Sequence, residues 1–422
     1  MAYNRKQRLN ENIKAIETAF ILDREQRTPT ARERLLLERY CGFGGLKCIL
    51  NPARELADAV HWAKSDLELF APTVELHRLI RENSKNESEY KQLMDSLKQS
   101  VLTAFYTPSA VTEVLTDVLK EHQIIPEKVL EPSAGIGAFV DSVLDNNPKA
   151  DIMAFEKDLL TGKILRHLHP EQKVRIEGFE KIEKPFNDYF DLAISNIPFG
   201  DVAVFDPSYT AMKGMRALVT RRIHNYFFVK ALDTVRDGGL VAFITSQGVL
   251  NAKNNSAARF MMLYHADLVS AIRLPNNLFT ENANTEVGSD LIILQKNTQK
   301  ESLRGDDNLL DTVYNDENRI PTNNYFLEHP ERIIHTTAKL DTDPFGKPAM
   351  IYTHEDGVEG IAEDLRKMLH EDFKKNLNLN RYLGIEETMS EEGKEVEETE
   401  KIEKTEKIKP SIEEKQNDTV VS

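Results

Sequence analysis

The sequence predicts an α/β fold built on a parallel, doubly wound sheet, and three observations lead there. Between about residues 100 and 300, short runs rich in Val, Ile, Leu and Phe alternate with amphipathic stretches of helix length. The first run leads straight into a turn that carries two glycines. Several later runs end on a polar or acidic residue just past the last apolar position. Alternation of this kind puts helices on both faces of a parallel sheet and a ligand crevice beyond the carboxyl ends of its strands.

Taken in order, the chain opens with helical sequence. Ile13, Ile16, Phe20 and Ile21 recur at helical spacing, Thr28-Pro29-Thr30 interrupts, and Arg32 to Tyr40 resumes until Gly42-Phe43-Gly44-Gly45 stops it. Residues 1–48 hold ten Lys/Arg against six Asp/Glu, so these helices are basic, a bias that suits either DNA or a solvated surface. Residues 1–100 are read as an N-terminal helical region and 101–300 as the sheet-bearing domain. The expected strands are Lys128 to Leu130, Ile152 to Phe155, Val174 to Ile176, Asp191 to Ile194, Leu240 to Thr245, Leu268 to Ile272 and Asp290 to Leu294. Residues 301–385 form a small appended region, with loop signals at Pro321-Thr322-Asn323-Asn324 and Asp343-Pro344-Phe345-Gly346. Residues 386–422 contain 13 acidic and 6 basic side chains and no aromatic, so they are expected to be a disordered acidic tail.

Composition narrows the function classes. The 422 residues carry 54 Lys+Arg and 69 Asp+Glu, a net charge of −15, with 40% hydrophobic residues. That is enough chain for a sizeable core. No apolar run approaches the roughly 18 residues that cross a bilayer. Met1-Ala2-Tyr3-Asn4-Arg5-Lys6 opens no secretory signal, so a cytoplasmic protein is expected. Cys41 and Cys48 make no disulfide framework and are expected to be reduced. His167 and His169 lack a third ligand at zinc spacing, so no metal is expected. A net charge of −15 by itself argues against nucleic acid, but the acid is concentrated in the tail while the first helices are positive.

The first strand runs into Glu131-Pro132-Ser133-Ala134-Gly135-Ile136-Gly137. Gly135 and Gly137 allow a tight strand-to-helix turn and close approach of a ligand, although an ordinary turn looks the same. Glu131 would repel a pyrophosphate and attract an ammonium. Glu156, just past the second strand, is placed to accept ribose hydroxyls, and Phe179 and Glu180 past the third could contact an adenine ring. Together they outline an adenosine-type ligand with an amino acid end.

The fourth strand delivers Asn196-Ile197-Pro198-Phe199. An exocyclic amine conjugated to a ring is a poor nucleophile. Accepting its two hydrogens, on the Asn196 side-chain oxygen and the Ile197 carbonyl, would aim its lone pair at a methyl donor, with Phe199 stacked on the base. The nearby Asp206-Pro207-Ser208-Tyr209 looks similar but follows no clear strand, so a loop role is expected. Lys213, Arg216, Arg221 and Arg222 could clamp phosphates around an extruded nucleotide, or only solvate a helix face.

With these motifs in order, the chain resembles the N6-adenine DNA methyltransferases of the gamma motif order. Ala104-Phe105-Tyr106-Thr107-Pro108 is similar to that family's aromatic-Thr-Pro segment over the methionine end of S-adenosylmethionine. The resemblance thus assigns Phe105, Tyr106, Thr107, Pro108, Glu131, Pro132, Ala134, Gly135, Gly137, Glu156, Phe179 and Glu180 to the cofactor. It assigns Asn196 to Phe199 to catalysis within a Rossmann-like fold. Asn225 to Phe228 and Gly238 to Ile244 are similar to the later helix and strand. Tyr40 to Leu46 resembles a leading segment of phage and mobile-element methylase-helicase proteins. The sequence departs from the family pattern at Ile197, where proline is usual, and at Glu131, where aspartate is usual. No Gly-x4-Gly-Lys-Ser/Thr loop occurs, so a helicase motor or specificity subunit would be a separate partner beside DNA. The rival readings are methylation of RNA adenine or protein glutamine, and a non-catalytic DNA-binding or assembly subunit.

Overall fold

The computed structural model describes residues 4–103, 106–212, 214–280, 286–303, 307–314, 319–343 and 346–385. The predicted Phe105 and Lys213, and the acidic tail 386–422, lie outside the described residues.

All seven expected strands are present and join one sheet. They are β1 (Lys128–Glu131), β2 (Asp151–Phe155), β3 (Lys173–Arg175), β4 (Phe190–Asn196), β5 (Val235–Ser246), β6 (Ala266–Leu274) and β7 (Ser289–Lys296), in the order β3-β2-β1-β4-β5-β7-β6. The order reverses direction at β1, which pairs with β2 on one side and β4 on the other, and this opens the crevice at their carboxyl ends. One expectation is corrected. The sheet is mixed: β7 lies between β5 and β6 and runs antiparallel to both. After Leu274 the chain turns through Asn276–Phe279 and re-enters at the same end of the sheet, so β7 descends without the crossover a parallel neighbour needs. Its near-continuous apolar run, Leu291 to Leu294, is what a strand buried on both faces shows, and it carries no mark of direction.

Helices cover both faces. Helix α5 (Ser109–Glu121), α6 (Ala138–Asn146) and the helix Gly357–Asn376 pack together, the last also against β6. The other face carries α10 (Ile223–Thr234) and α12 (Ser256–His265). There Tyr226, Phe227, Phe228, Met261 and Met262 bury against Phe155, Ala193, Phe243 and Ile292 of the strands. Burying a large side chain of this kind contributes about 1.5–3 kcal/mol, which fixes the rigid frame on which the loops sit.

The N-terminal helices are α1 (Arg5–Glu25), α2 (Ala31–Glu38), α3 (Phe70–Glu82) and α4 (Glu87–Thr103). Pro29 breaks the first pair, and Thr30 restarts it by a capping box with Glu33. These helices share one apolar core with α7 (Leu159–Leu168), through Leu160, Ile164 and Leu168. The glycine-rich segment after α2 is folded inward. Asn12 donates to the Gly42 carbonyl at 2.6 Å and accepts from the Cys41 amide at 2.9 Å. The Tyr40 and Thr161 hydroxyls lie 3.2 Å apart.

In the appended region, Thr312–Tyr314 pairs with Pro321–Asn323, and Thr337–Thr342 pairs antiparallel with Pro348–Thr353. The described residues up to Leu379 form one compact unit, and those from Asn380 to Ile385 belong to a second. In the second, the Ile385 amide donates to the Asn380 carbonyl at 2.9 Å and closes a turn.

Candidate cofactor and acceptor site

The first half of the site grows out of β1. Glu131 is the last residue of that strand and is 2% exposed. Burial, with Asp141 and Glu156 nearby, pushes its carboxyl well above the ordinary value. Its Oε2 has no hydrogen-bond partner. With that oxygen unpartnered, ionising the buried carboxyl is costly, and a cationic ligand group would relieve that cost.

The turn that follows is held by bonds from three backbone amides. The Ala134 amide donates to the Phe155 carbonyl at 2.8 Å, Gly135 to Glu156 Oε2 at 2.8 Å, and Gly137 to the Ala134 carbonyl at 2.8 Å. Gly135 and Gly137 have φ of +57° and +93°, in the region that disfavours a side chain. A Cβ on Gly135 would stand 2.8 Å from the Tyr106 ring, and one on Gly137 2.5 Å from His169 Nε2. The loop is thus pressed between an aromatic ring and an imidazole. Burial holds His169 at a pKa of about 4, so it is neutral there.

Glu156 is half-buried just beyond β2 and also accepts the Asp158 amide at 2.7 Å. Burial and the neighbouring Asp158 push its pKa up to about 8, against the pull of those amides. Tyr106 is raised well above its usual value by burial, with Tyr40 close by and Thr161 as a hydrogen-bond partner. The N-terminal layer therefore stands directly behind the cofactor half, which sequence reading did not foresee. Thr107 is buried with its Oγ1 unpartnered, and Pro108 precedes α5 as its cap.

Two predicted contacts are redirected. Phe179 is 1% exposed and packs in the core against Phe155 at 5.9 Å and Phe227 at 5.3 Å, so its ring is not on the crevice wall. Glu180 folds back over Gly178 and lies 3.7 Å from Lys157 Nζ.

The second half is the end of β4. Asn196 pairs in register with Ile244, and the Ile197 amide continues the ladder to the Ile244 carbonyl at 3.0 Å. Ile197 is 1% exposed, its side chain sunk in the core, while Asn196, Pro198 and Phe199 are half-buried. Phe199 meets Phe279 edge to face, with ring centroids 6.2 Å apart. Sequence reading placed the Leu274–Phe279 loop near the pocket without singling out Phe279, whose partner stands 80 residues earlier.

The expected phosphate clamp is divided by the fold. Arg216 forms a two-pronged pair with Asp233 at 2.7 and 2.9 Å, just before the start of β5. Since Phe190 pairs with Val235 and Asn196 with Ile244, Arg216 is held toward the amino end of the sheet, away from Asn196. Arg222 caps the start of α10 and lies 3.3 Å from Asp201, and Arg221 is exposed beside it. Of the described members of this group, Arg221 and Arg222 are the ones that stay near the carboxyl end. Asp206-Pro207-Ser208-Tyr209 has a structural task. Asp206 caps the short helix Pro207–Thr210 and is bound by Tyr226 at 2.7 Å and Lys230 at 3.3 Å. His167 binds Asp23 at 2.8 Å. Among the described residues no group of His, Cys, Asp or Glu is placed to hold a metal ion, and no helix is long and apolar enough to cross a membrane.

Comparison with known proteins follows the same lines. The chain is 29% identical over 201 residues to Defense against restriction protein B of Escherichia phage P1, a match covering 46% of this chain and 8% of that protein. It is 25% identical over 173 residues to the Type II methyltransferase M.XamI of Xanthomonas campestris pv. amaranthicola, covering 38% of this chain and 33% of the other. The chain thus spans only a small part of the first protein and about a third of the second. Among solved structures, the type I restriction-modification methyltransferase subunit of Streptococcus thermophilus superposes with a TM-score of 0.39 at 12% identity, over 89% of this chain and 94% of that one. The family described as N-6 DNA Methylase matches residues 88–391, which include all seven strands of the sheet and the loops just described. The chain belongs to the N-6 DNA methylase family.

Proposed function

We propose that the protein transfers a methyl group from S-adenosylmethionine to N6 of an adenine flipped out of DNA. The observation that carries this reading is the position of Asn196 at the carboxyl end of β4, on the strand next to the one that ends in Glu131 and the glycine turn.

The residues present fit the cofactor. The unpartnered Glu131 Oε2 suits its ammonium, Thr107 and Tyr106 border the methionine end, and Gly135 and Gly137 let the loop turn tightly against Tyr106 and His169. Glu156 suits the ribose hydroxyls. When bound, S-adenosylmethionine supplies an electrophilic methyl group. The chain's own part is positional. The Asn196 side-chain oxygen and the Ile197 carbonyl accept the two amine hydrogens, so the nitrogen lone pair points away from the ring plane. Phe199, braced by Phe279, holds the base face and excludes water. Once methylated, N6 is cationic and strongly acidic, so its proton is lost to solvent as the base leaves the pocket.

Family membership supports a DNA acceptor, and the likeness to a phage protein named for defense against restriction supports a mobile-element setting. A separate helicase or specificity subunit is part of the proposal. The test uses labelled S-adenosylmethionine with DNA, RNA and protein acceptors in parallel. Label is expected in DNA as N6-methyladenine. Label confined to RNA or protein would assign the site to another planar amine or amide, and no binding of the cofactor at all would favour a non-catalytic subunit.

A further inference from the structure

Phe279 braces Phe199, and the turn that carries it is tied to chain 77 residues further on. Within the turn Asn276–Phe279, the Leu278 amide donates to the Pro275 carbonyl at 3.2 Å and the Thr280 amide to the Asn277 carbonyl. The Val287 amide, just ahead of β7, donates to the Asn276 carbonyl at 3.1 Å. Those bonds shape the turn, and two side chains place it. Asn277 Nδ2 donates to the His354 carbonyl at 3.0 Å while its Oδ1 accepts the His354 amide at 3.1 Å. One side-chain amide thus satisfies both backbone groups of a single residue, as a neighbouring strand would, and leaves the turn little freedom to rotate. Asn276 Oδ1 accepts the Tyr352 amide at 3.0 Å.

His354 is itself fixed. It is 5% exposed, its Nδ1 accepts the Asp356 amide at 3.2 Å, and its ring lies so close on Gly360 that a Cβ there would stand 2.1 Å from it. Gly360 belongs to the helix Gly357–Asn376, which is bonded back to β6. Asp372 Oδ2 accepts from the Ser270 hydroxyl at 2.7 Å, and Asn376 Nδ2 donates to the Val269 carbonyl at 2.9 Å. Strand, turn, His354 and helix therefore close a ring of contacts that starts and ends on β6. Because β7 is antiparallel to both β5 and β6, the turn after Leu274 stands at the carboxyl end of the sheet, the end that holds Asn196. The cofactor half stands apart from this ring. β1 is separated from β6 by β4, β5 and β7, and its glycine turn is backed by Tyr106 and His169.

We propose that Asn277 is a positioning residue for methyl transfer, acting through Phe279 to hold the Phe199 ring against the flipped base while leaving the cofactor half untouched. The proposal rests on the acceptor reading given above, and it gives the appended region a task, which is to lock the acceptor wall from behind. Removing the Asn277 amide leaves the N–H and C=O of His354 without these partners and frees the turn to shift. A shift of about 1 Å in a group that orients the acceptor is felt mainly in the rate of transfer.

The first measurement needs no activity. A para-fluorophenylalanine is placed at position 199 of the full chain, and its fluorine resonance is recorded in the native background, with Asn277→Ala and with Phe279→Leu. The Asn277→Ala resonance is expected to move in the direction set by Phe279→Leu. A resonance that stays at the native position would overturn the proposal. Asn276→Ala, which releases only the Tyr352 amide, is the milder second variant and should move it the same way by less. The second measurement is a double-variant cycle on the unlabelled chain, with labelled S-adenosylmethionine and sheared duplex DNA. Asn277→Ala should lower kcat about tenfold with cofactor affinity within about twofold of native, and should add nothing further once Phe279→Leu is present. Losses that multiply, or cofactor affinity that falls in step with transfer, would make Asn277 a fold-stabilising residue and overturn the proposal. No transfer by the native chain would instead sink the enzyme reading, and the fluorine resonance then decides by itself whether Asn277 places the ring.

Discussion

Ile197 shows how one side chain reconciles a motif departure with geometry. Proline at this position would stiffen the backbone, but here the Ile197 amide already donates to Ile244 and its side chain is buried. The sheet ladder therefore fixes the peptide that enters Ile197, and Pro198 restricts the backbone that presents its carbonyl. Ile197→Pro removes that bond and its packing, which together cost about 2–4 kcal/mol. The variant should melt at lower temperature and transfer methyl groups no faster than the native chain, as thermal denaturation and an initial-rate assay would read. Glu156 sets a pH dependence. Its pKa in the fold, about 8, exceeds the ordinary 4.5. Its contribution to stability is therefore whole below the unfolded value and is lost as pH rises through about 8. Ionised, it accepts ribose hydroxyls best, so cofactor binding should release a proton and tighten between about pH 6 and 8.5. Titration calorimetry in buffers of different ionisation enthalpy measures that release. Glu156→Gln should flatten the profile and weaken the cofactor, and because its amide nitrogen cannot accept one of the two backbone amides it should also lower stability.

At the scale of elements, the strands were legible because each is a compact apolar run, and the place of Glu131, Gly135, Glu156 and Asn196 at strand ends was legible because each lies directly at the end of such a run. What could not be read depends on partners far away in sequence. The pairing of Arg216 with Asp233, the meeting of Phe199 with Phe279 and the burial of Phe179 among Phe155 and Phe227 all require the folded sheet. The antiparallel course of β7 is hidden for a similar reason, since strand alternation carries no direction. The N-terminal layer is the largest such case. Tyr40 reaches Thr161, which is also the partner of Tyr106, so residues from three segments support one ring over Gly135. Tyr40→Phe should cost about 1 kcal/mol of stability. It should also weaken S-adenosylmethionine binding several-fold, although Tyr40 lies behind the crevice wall. Affinity equal to the native chain's would separate this layer from the site.

For the whole molecule, a net charge of −15 and a DNA acceptor are compatible because the charge is divided. The last 37 residues carry −7 of it, the first 48 carry +4, and Arg221 and Arg222 stand near the crevice. With Arg222 paired to Asp201 and Arg221 exposed, DNA affinity should be modest and fall steeply with salt. Removing residues 386–422 should strengthen DNA binding at low salt and lose that advantage at high salt. Equal affinity at low salt would show that the tail does not compete.

The central claim concerns Asn196, and one measurement reaches it most directly. Native chain and Asn196→Ala are each given labelled S-adenosylmethionine and DNA, with cofactor affinity checked by calorimetry, and the modified nucleosides are identified by mass. The account predicts N6-methyladenine from the native chain, and from the variant unchanged cofactor binding with transfer reduced by about a hundredfold or more. Equal transfer by the two, or methylation at a position other than adenine N6, would contradict it.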